Sequence, residues 1–180
     1  MRDKRVEKAD RLHDKTWRGE CMILVPIYNQ EVTLFVGSKN EMLRRFDKDE
    51  GLKTIMAKAT LSQNDAAAGS TLFAPGQALI RIPELDLHDM KCVTSLFHEA
   101  LHVAMIIADR TGIEIGKYGE VIAYLQEYIV KSLLREIEIG RCYTLNPDGT
   151  VDGPDPSVPK NENILAIMPD IEAILKANKK

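Results

Sequence analysis

The sequence predicts a single domain of the α+β class, in which a small antiparallel or mixed sheet of about three strands packs on two long helices. Three observations predict this fold. At 180 residues and 20.2 kDa, the chain has the length of one domain with one core. Short apolar segments with β-branched residues occur in its first half, and two long segments with helical spacing follow them. The sequence contains no internal repeat, so we expect one domain over residues 1–180.

Two apolar segments near the N-terminus predict a β-hairpin. Cys21–Tyr28 is rich in β-branched and aromatic residues, and Glu31–Val36 alternates toward a glycine. Asn29 and Gln30 form a polar pair between them. Pro26 lies inside the first segment, where a proline favours an edge position or a bulge because it cannot donate to a sheet ladder.

A helix and a third strand are predicted next. Ser38 is a candidate N-cap for a helix over residues 39–48. Small and polar residues at 63–76, punctuated by glycine and proline, predict a loop. Gln77–Pro83 then alternates between inward and outward positions and ends at a proline, which predicts a strand. The predicted sheet therefore has three strands.

Three further segments lie outside this predicted core. Residues 1–18 carry alternating charges and predict a solvated N-terminal arm. Residues 143–161 contain four prolines and two glycines, which predicts a loop without regular secondary structure. Residues 162–177 carry apolar positions that predict a final helix docked on the core, although Pro169 interrupts it.

Composition and charge exclude several functional classes. The formal net charge is −3 and the isoelectric point is near 5.8, which is not typical of a nucleic-acid or membrane binder. The first residues lack the apolar segment of a signal peptide, and no apolar run approaches the length that crosses a bilayer. Cys21, Cys92 and Cys142 are odd in number and widely separated, which indicates reduced thiols. We therefore expect a cytoplasmic protein with neither a nucleic-acid nor a membrane partner.

The segment Val93–Arg110 carries the clearest functional pattern. It contains His98, Glu99 and His102 in the spacing H-E-x-x-H, and residues four apart lie on one face of a helix. Both imidazoles can therefore reach one metal ion, while Glu99 is placed to act as a general base, as in zinc hydrolases. The flanking residues are apolar nearly all round, which predicts a buried central helix. Two core histidines and a hydrogen-bonded glutamate are the structural alternative.

A third metal ligand must come from another element, because catalytic zinc takes three protein ligands. The next helix offers Glu120 and Glu127, seven residues apart and hence on one face. His13, in the charged arm, and His88, some two and a half turns before the motif, are poorer candidates. A tight antiparallel helix pair would bring Glu127 level with His102. The alternative for each glutamate is an ion pair with a basic residue or, for Glu120, a favourable place in the first helical turn.

The order of these elements resembles a known core. Strand Gln77–Pro83, the H-E-x-x-H helix and a helix that begins at Glu120 resemble the minimal zincin (gluzincin-like) metallopeptidase core. They are most similar to compact ImmA/IrrE-type peptidases and to short phage-encoded H-E-x-x-H proteins. In the former, the second helix carries a glutamate ligand followed three residues later by alanine; Glu120 and Ala123 match that pattern, and Glu127 does not. The resemblance implies a Zn²⁺ ion held by His98, His102 and Glu120.

The resemblance also implies a zinc-dependent metallopeptidase, in which Glu99 assists the attack of water on a peptide bond. Tyr124 is the candidate for stabilising the oxyanion, Tyr128 is a second candidate, and aromatic packing is the alternative for both. In zincins the strand before the motif helix binds substrate by β-augmentation, so a protein or peptide substrate is expected along Gln77–Pro83. Two other functions stay open. One is a zincin-like regulatory or accessory metal-binding protein without protease activity, of the kind that phages or mobile elements encode; the other is a structural protein with a metal-free core.

Overall fold

The computed structural model describes residues 17–46, 52–60, 69–114, 116–146 and 150–154, which form a six-stranded mixed sheet and four α-helices. The strands are β1 (Gly19–Val25), β2 (Gln30–Val36), β3 (Ser70–Ala74), β4 (Gln77–Ile82), β5 (Tyr143–Leu145) and β6 (Val151–Asp152). The helices are α1 (Lys39–Phe46), α2 (Leu52–Thr60), α3 (Met90–Arg110) and α4 (Gly119–Glu138), and a 3-10 turn over Pro26–Tyr28 joins β1 to β2. The predicted α+β class is confirmed, whereas the sheet has six described strands where three are predicted.

The strands lie in the order β3-β4-β2-β1-β5-β6. β1 and β2 form the predicted antiparallel hairpin, with Val25 opposite Gln30. β2 and β4 are parallel, and β5 is antiparallel to both β1 and β6. β3 and β4 form a second hairpin that turns through Pro75 and Gly76, where a φ of 75° favours glycine. The sheet is therefore mixed, because one parallel pair joins the two hairpins.

Three of these strands fall in segments that predict loops, so both loop predictions are wrong in part. Ser70–Ala74 lies within residues 63–76, and β5 and β6 lie within residues 143–161. In β3, Thr71 and Phe73 face α3, while the intervening side chains belong to the core on the opposite face. A strand that is covered on both faces need not alternate in polarity. β5 and β6 have three and two residues, which is too short for any sequence period.

The predicted strand Gln77–Pro83 is observed as β4, but it is not the exposed edge that β-augmentation by a substrate would require. β4 is hydrogen-bonded to β3 on one side and to β2 on the other, and five of its six residues are buried. Among the described residues, β3 forms the edge of the sheet on this side. Pro26 marks no edge or bulge either, because β1 lies between β2 and β5, and Pro26 begins the 3-10 turn after the strand.

Helices cover both faces of the sheet. The larger core joins one face to α3 and α4, and its members include Val32, Leu34, Ile80, Val103 and Leu125. The smaller core joins the opposite face to α1 and α2, and its members include Phe35, Leu79, Met42, Phe46 and Met56. α3 contacts both β4 and the edge strand β3. The motif helix is therefore held beside the edge of the sheet.

The helix caps agree with the sequence. Ser38 and Glu41 form a reciprocal capping box at α1: the Glu41 N–H donates to Ser38 Oγ at 3.2 Å, and the Ser38 N–H donates to Glu41 Oε2 at 2.8 Å. Asp89 caps α3, since its carboxylate accepts from the Lys91 N–H at 2.9 Å. Gly112, with a φ of 73°, follows the end of α3. The prediction of Ser38 as an N-cap is confirmed, and it rests on contacts within one helical turn.

α3 is buried on one side only, so the prediction of a helix buried all round is wrong. Glu99 is buried, whereas His98 and His102 are exposed and Phe97 is 41% exposed. The sheet and α4 cover one face of the helix and leave the other in solvent. Met90–Arg110 is also long and apolar enough to cross a membrane by length and composition, contrary to expectation, although core helices of soluble proteins pass the same test. The lack of membrane and nucleic-acid partners stays a prediction.

Cys21 in β1 and Cys142 before β5 form a disulfide, with Cα atoms 4.7 Å apart. Cys92 is free. The prediction of three reduced thiols is therefore wrong for this structure. The bond joins the chain after α4 to the middle of the sheet. Cytoplasmic location stays a prediction, and in a reducing cytoplasm the same pair would be thiols.

The two predicted end segments lie largely outside the described residues. Residues 1–16 of the arm do so, as does the predicted helix 162–177. Trp17, by contrast, is buried, and its N–H donates to Leu85 O at 3.0 Å. This end of the predicted arm 1–18 therefore belongs to the folded domain.

Candidate metal centre

His98 and His102 lie on the exposed face of α3, one helical turn apart. Their Nε2 atoms are 3.1 Å apart, at hydrogen-bond distance from each other, and the two rings have centroids 4.7 Å apart with planes at 89°. Residues at i and i+4 share a helix face, so local helix geometry suffices to bring the rings together. The two imidazoles converge through ring nitrogens, which are the atoms that bind metals.

The separation of the two Nε2 atoms suits a zinc ion. Zinc–imidazole bonds of about 2.0–2.1 Å at a tetrahedral angle place two ligating nitrogens about 3.3–3.4 Å apart. The distance of 3.1 Å is within a few tenths of an ångström of that span. Because both rings are exposed, the alternative of two core histidines is wrong. The pair therefore fits two of the three ligands that a zinc site needs.

No third ligand joins this pair among the described residues, which contain no group of three or more His, Cys, Asp and Glu side chains placed to hold a metal ion. Glu120 lies exposed in the first turn of α4. Glu127 forms an ion pair with Lys131, which is the alternative expected for a glutamate on this helix. His88 is exposed just before α3, and His13 lies outside the described residues. The role of Glu120 as third ligand stays a prediction.

The packing of α4 on α3 determines which glutamate lies level with the histidines. Gln126 Nε2 donates to Phe97 O at 2.8 Å. Phe97 lies five residues before His102, so the tight pairing that would bring Glu127 level with His102 is not observed. Glu120 lies six residues before Gln126, about 9 Å along the axis of α4.

Unlike the exposed histidines, Glu99 is buried at the junction between α3 and β3. Glu99 is 6% exposed. Thr71 Oγ1 donates to Glu99 Oε2 and also lies 3.3 Å from the Glu99 main-chain oxygen. Gly69 lies against the same carboxylate, since a Cβ atom there would be 2.7 Å from Glu99 Oε1. The candidate base is therefore held by the edge strand and the residue before it.

Thr71 and Gly69 are residues that sequence reasoning missed. Both fall within residues 63–76, whose composition predicts a loop. Thr71 contacts Glu99 across 28 residues of sequence, so no short-range spacing signals the contact. An H-E-x-x-H motif predicts that the glutamate needs a partner, but it does not identify which strand supplies it.

Tyr124 and Tyr128 take different positions on α4. Tyr124 is 49% exposed. Tyr128 is buried, its hydroxyl lies 3.5 Å from Leu24 O, and burial raises the pKa of Tyr128 above its ordinary value. Tyr128 therefore packs in the core, which is the alternative to a role in stabilising the oxyanion. The role of Tyr124 in stabilising an oxyanion remains a prediction.

No protein-family model matches the chain, and comparisons with curated proteins and with solved structures give no match. The resemblance to zincins therefore rests on the motif residues of the sequence. The site itself consists of two converging imidazoles, a neighbouring carboxylate and an edge strand.

Proposed function

We propose that the protein is a zinc-dependent hydrolase, and specifically a metallopeptidase, whose zinc ion is bound by His98 and His102. The 3.1 Å separation of their Nε2 atoms carries the proposal, because it approaches the separation that one tetrahedral ion imposes on two ligands. Glu120 is the proposed third ligand. The alanine at position 123 supports this choice over Glu127, as does the ion pair that Glu127 forms with Lys131.

The described side chains supply the acid–base chemistry of the proposed reaction. Zinc, when bound, provides a Lewis acid for the peptide carbonyl. Glu99 takes a proton from the attacking water and passes it to the leaving amine. Thr71 holds one oxygen of Glu99, while Gly69, which has no side chain, lies against the other oxygen. Tyr124 is proposed to stabilise the oxyanion.

We propose that the peptide substrate binds along β3 rather than along Gln77–Pro83. Among the described residues β3 pairs with β4 alone, so its other edge offers backbone N–H and C=O groups. An extended peptide adds to such an edge through main-chain hydrogen bonds. Thr71 contacts Glu99 from this strand, so a peptide bound there would pass close to the candidate base.

A regulatory or accessory metal-binding protein without protease activity is the second candidate. One observation favours it: the described residues do not complete a three-ligand group around the two histidines. Two exposed imidazoles can bind a divalent ion reversibly without supporting catalysis. A structural protein with a metal-free core is favoured less, because the two histidines lie outside the core.

Metal content separates the metal-binding functions from a metal-free one. Elemental analysis of protein purified without chelator should find about one zinc ion per chain, and His98→Ala should remove it. His88→Ala is the matched control, because His88 is also an exposed histidine near α3. A wild-type protein that carries no zinc and binds none on titration would overturn the proposal.

Glu99→Gln separates an enzyme from a binding protein. The variant should keep its zinc and lose hydrolysis of unfolded casein, because an amide cannot accept a proton from water. Glu127→Gln is the matched control and should keep both properties, since Glu127 is half-exposed and paired only on the surface. Zinc binding without any hydrolysis by the wild type would favour the regulatory function. Wild-type turnover by Glu99→Gln would contradict the role of Glu99.

A further inference from the structure

Apolar side chains from β6, β5 and β1 share one face of the sheet. Directly opposed residues of antiparallel strands point to the same side, as do alternate residues of one strand. Val151 is opposite Leu145 in the β5–β6 pair, and Tyr143 is opposite Glu20 in the β1–β5 pair. We call the apolar residues of this row the apolar strip, and its members are Val151, Leu145, Tyr143, Met22 and Leu24.

The strip lies on the face that carries α1 and α2, but these helices do not cover it. Glu20 is opposite Phe35 of β2, and Phe35 packs in the smaller core against α1 and α2. The sheet residues of that core come from β2, β3 and β4. Among the described residues, none of β1, β5 or β6 belongs to it. The two helices therefore protect one half of this face and leave the other half open.

Most of the strip is open to solvent. Four of its five side chains are at least 40% exposed, namely Met22, Leu24, Tyr143 and Val151. In the described part of the chain, these are four of the nine large apolar residues that are exposed. Single exposed apolar residues are common on protein surfaces, whereas a contiguous group of them marks a surface that binds something.

Glu20, the charged residue of β1, lies in the same row and is neutralised there. It is 7% exposed. Arg45 Nη2 lies 2.8 Å from Glu20 Oε2, and Lys53 Nζ lies 3.4 Å from Glu20 Oε1. The Arg45 guanidinium also lies over the Tyr143 ring, 4.8 Å from its centroid. The carboxylate therefore does not expose a free negative charge between Tyr143 and Met22.

The chain leaves the described fold beside this strip. β6 is antiparallel to β5, which is antiparallel to β1, so β6 and β1 run in the same direction. Asp152 is level with Gly19, since both are opposite Thr144, and the described chain continues to Pro154. Neighbouring strands lie about 4.8 Å apart, which places β6 about 10 Å from β1. β6 therefore directs the chain from about 10 Å away toward the level of Met22.

The residues that follow have the length and the pattern to cover the strip. Residues 155–161 can span about 23–25 Å when extended, which is more than twice the distance from β6 to β1. Residues 162–177 extend about 24 Å as a helix, enough to cross all three strands. Spacings of three and four residues place four isoleucines of this segment on one helix face, namely Ile164, Ile167, Ile171 and Ile174.

We propose that the apolar strip is the binding site of the C-terminal segment 162–177, which contacts it through the face that carries the four isoleucines. The contact removes apolar surface of Met22 and Leu24 from water, which stabilises it. A short tether gives the segment an effective concentration on the order of millimolar at the strip, so a separate molecule competes with it poorly. The strip and α3 lie on opposite faces of the sheet, so the proposal does not depend on the hydrolase function.

Oxidation of the full chain by hydrogen peroxide, followed by peptide mass spectrometry, tests the proposal. Met22 is 53% exposed and Met90 is 72% exposed in the described structure, so Met90 is the matched reference. A thioether that another segment covers reacts more slowly with peroxide, because oxidation follows exposure. We therefore expect Met22 to oxidise more slowly than Met90 by roughly fivefold or more.

Two double variants identify what covers Met22. Ile171→Asp with Ile174→Asp should bring the oxidation rate of Met22 close to that of Met90, because burial of the new carboxylates against the strip is costly. Glu172→Gln with Lys176→Gln is the matched control and should leave Met22 protected, since both residues lie off the isoleucine face.

Three results would overturn the proposal. The first is equal oxidation of Met22 and Met90 in the wild type, which would show that the strip is open. The second is protection of Met22 that persists when Ile171 and Ile174 are replaced. The third is protection that disappears on dilution, which would show that a second copy of the chain covers the strip.

Discussion

Thr71 Oγ1, on the edge strand β3, donates a hydrogen bond to the carboxylate of Glu99, on the motif helix α3. The contact joins an outer strand of the described sheet to the buried glutamate of the H-E-x-x-H motif. A buried carboxylate without donors is costly, so Thr71 stabilises the fold as well as orienting Glu99. The same contact places the candidate base beside the strand along which we propose that a peptide binds.

Thr71→Val should lower the free energy of unfolding by about 1–3 kcal/mol, because the buried Glu99 carboxylate loses a donor without a change in side-chain volume. In the proposed reaction it should lower kcat more than it raises KM. Thr71→Ser should retain both properties. Urea denaturation and steady-state kinetics measure them. Ser70→Ala is the matched control on the same strand, because the Ser70 hydroxyl is buried without a partner among the described residues; equal effects of the two variants would contradict a specific role for Thr71.

Gly69→Ala should displace Glu99 from its position. A Cβ atom at residue 69 would lie 2.7 Å from both Cγ and Oε1 of Glu99, which is too close for non-bonded atoms. Because Glu99 is buried and bonded to Thr71, we expect a loss of about 1–3 kcal/mol in unfolding free energy and a loss of hydrolysis. Gly116→Ala is the control, since a Cβ atom there meets no atom within 4 Å. Wild-type stability of Gly69→Ala, measured beside this control, would show that Glu99 is free to move.

Glu120→Ala should weaken zinc binding at least as much as His98→Ala, because it removes a proposed ligand. Glu127→Ala should weaken it by less than about tenfold, since Glu127 is paired with Lys131. Competition titrations with a zinc chelator measure the affinities. The reverse order would assign the third ligand to Glu127. Equal affinities in the wild type and both variants would exclude both glutamates.

Alkylation of denatured, unreduced protein should modify one cysteine, Cys92, and alkylation after reduction should modify three. Mass spectrometry counts the added groups. Reduction should also lower stability by several kcal/mol, because the Cys21–Cys142 bond closes a long loop in the unfolded chain. Three modified cysteines without reduction would show that Cys21 and Cys142 are not bonded.

Local geometry made several features predictable from the sequence. The four-residue spacing of His98 and His102 brings their nitrogens together because a helix repeats every 3.6 residues. Ser38 and Asp89 cap their helices through contacts with residues two or three positions away. The hairpin of β1 and β2 follows from two adjacent apolar segments with a short turn between them.

Long-range packing determined the rest of the site. β3 is the edge strand because β4 pairs with β2 on its other side. Two helices and β3 lie between β2 and β4 in the chain, so no local pattern signals that pairing. Glu99 is buried while His98 and His102 remain exposed because the sheet covers the side of α3 that carries Glu99 and leaves the neighbouring side, with the two histidines, open. A helix imposes contacts within a turn on any suitable sequence. Contacts between distant segments depend instead on the balance of pairing, burial and chain entropy across the whole domain, so no short pattern around Glu99 could identify Thr71 as its partner.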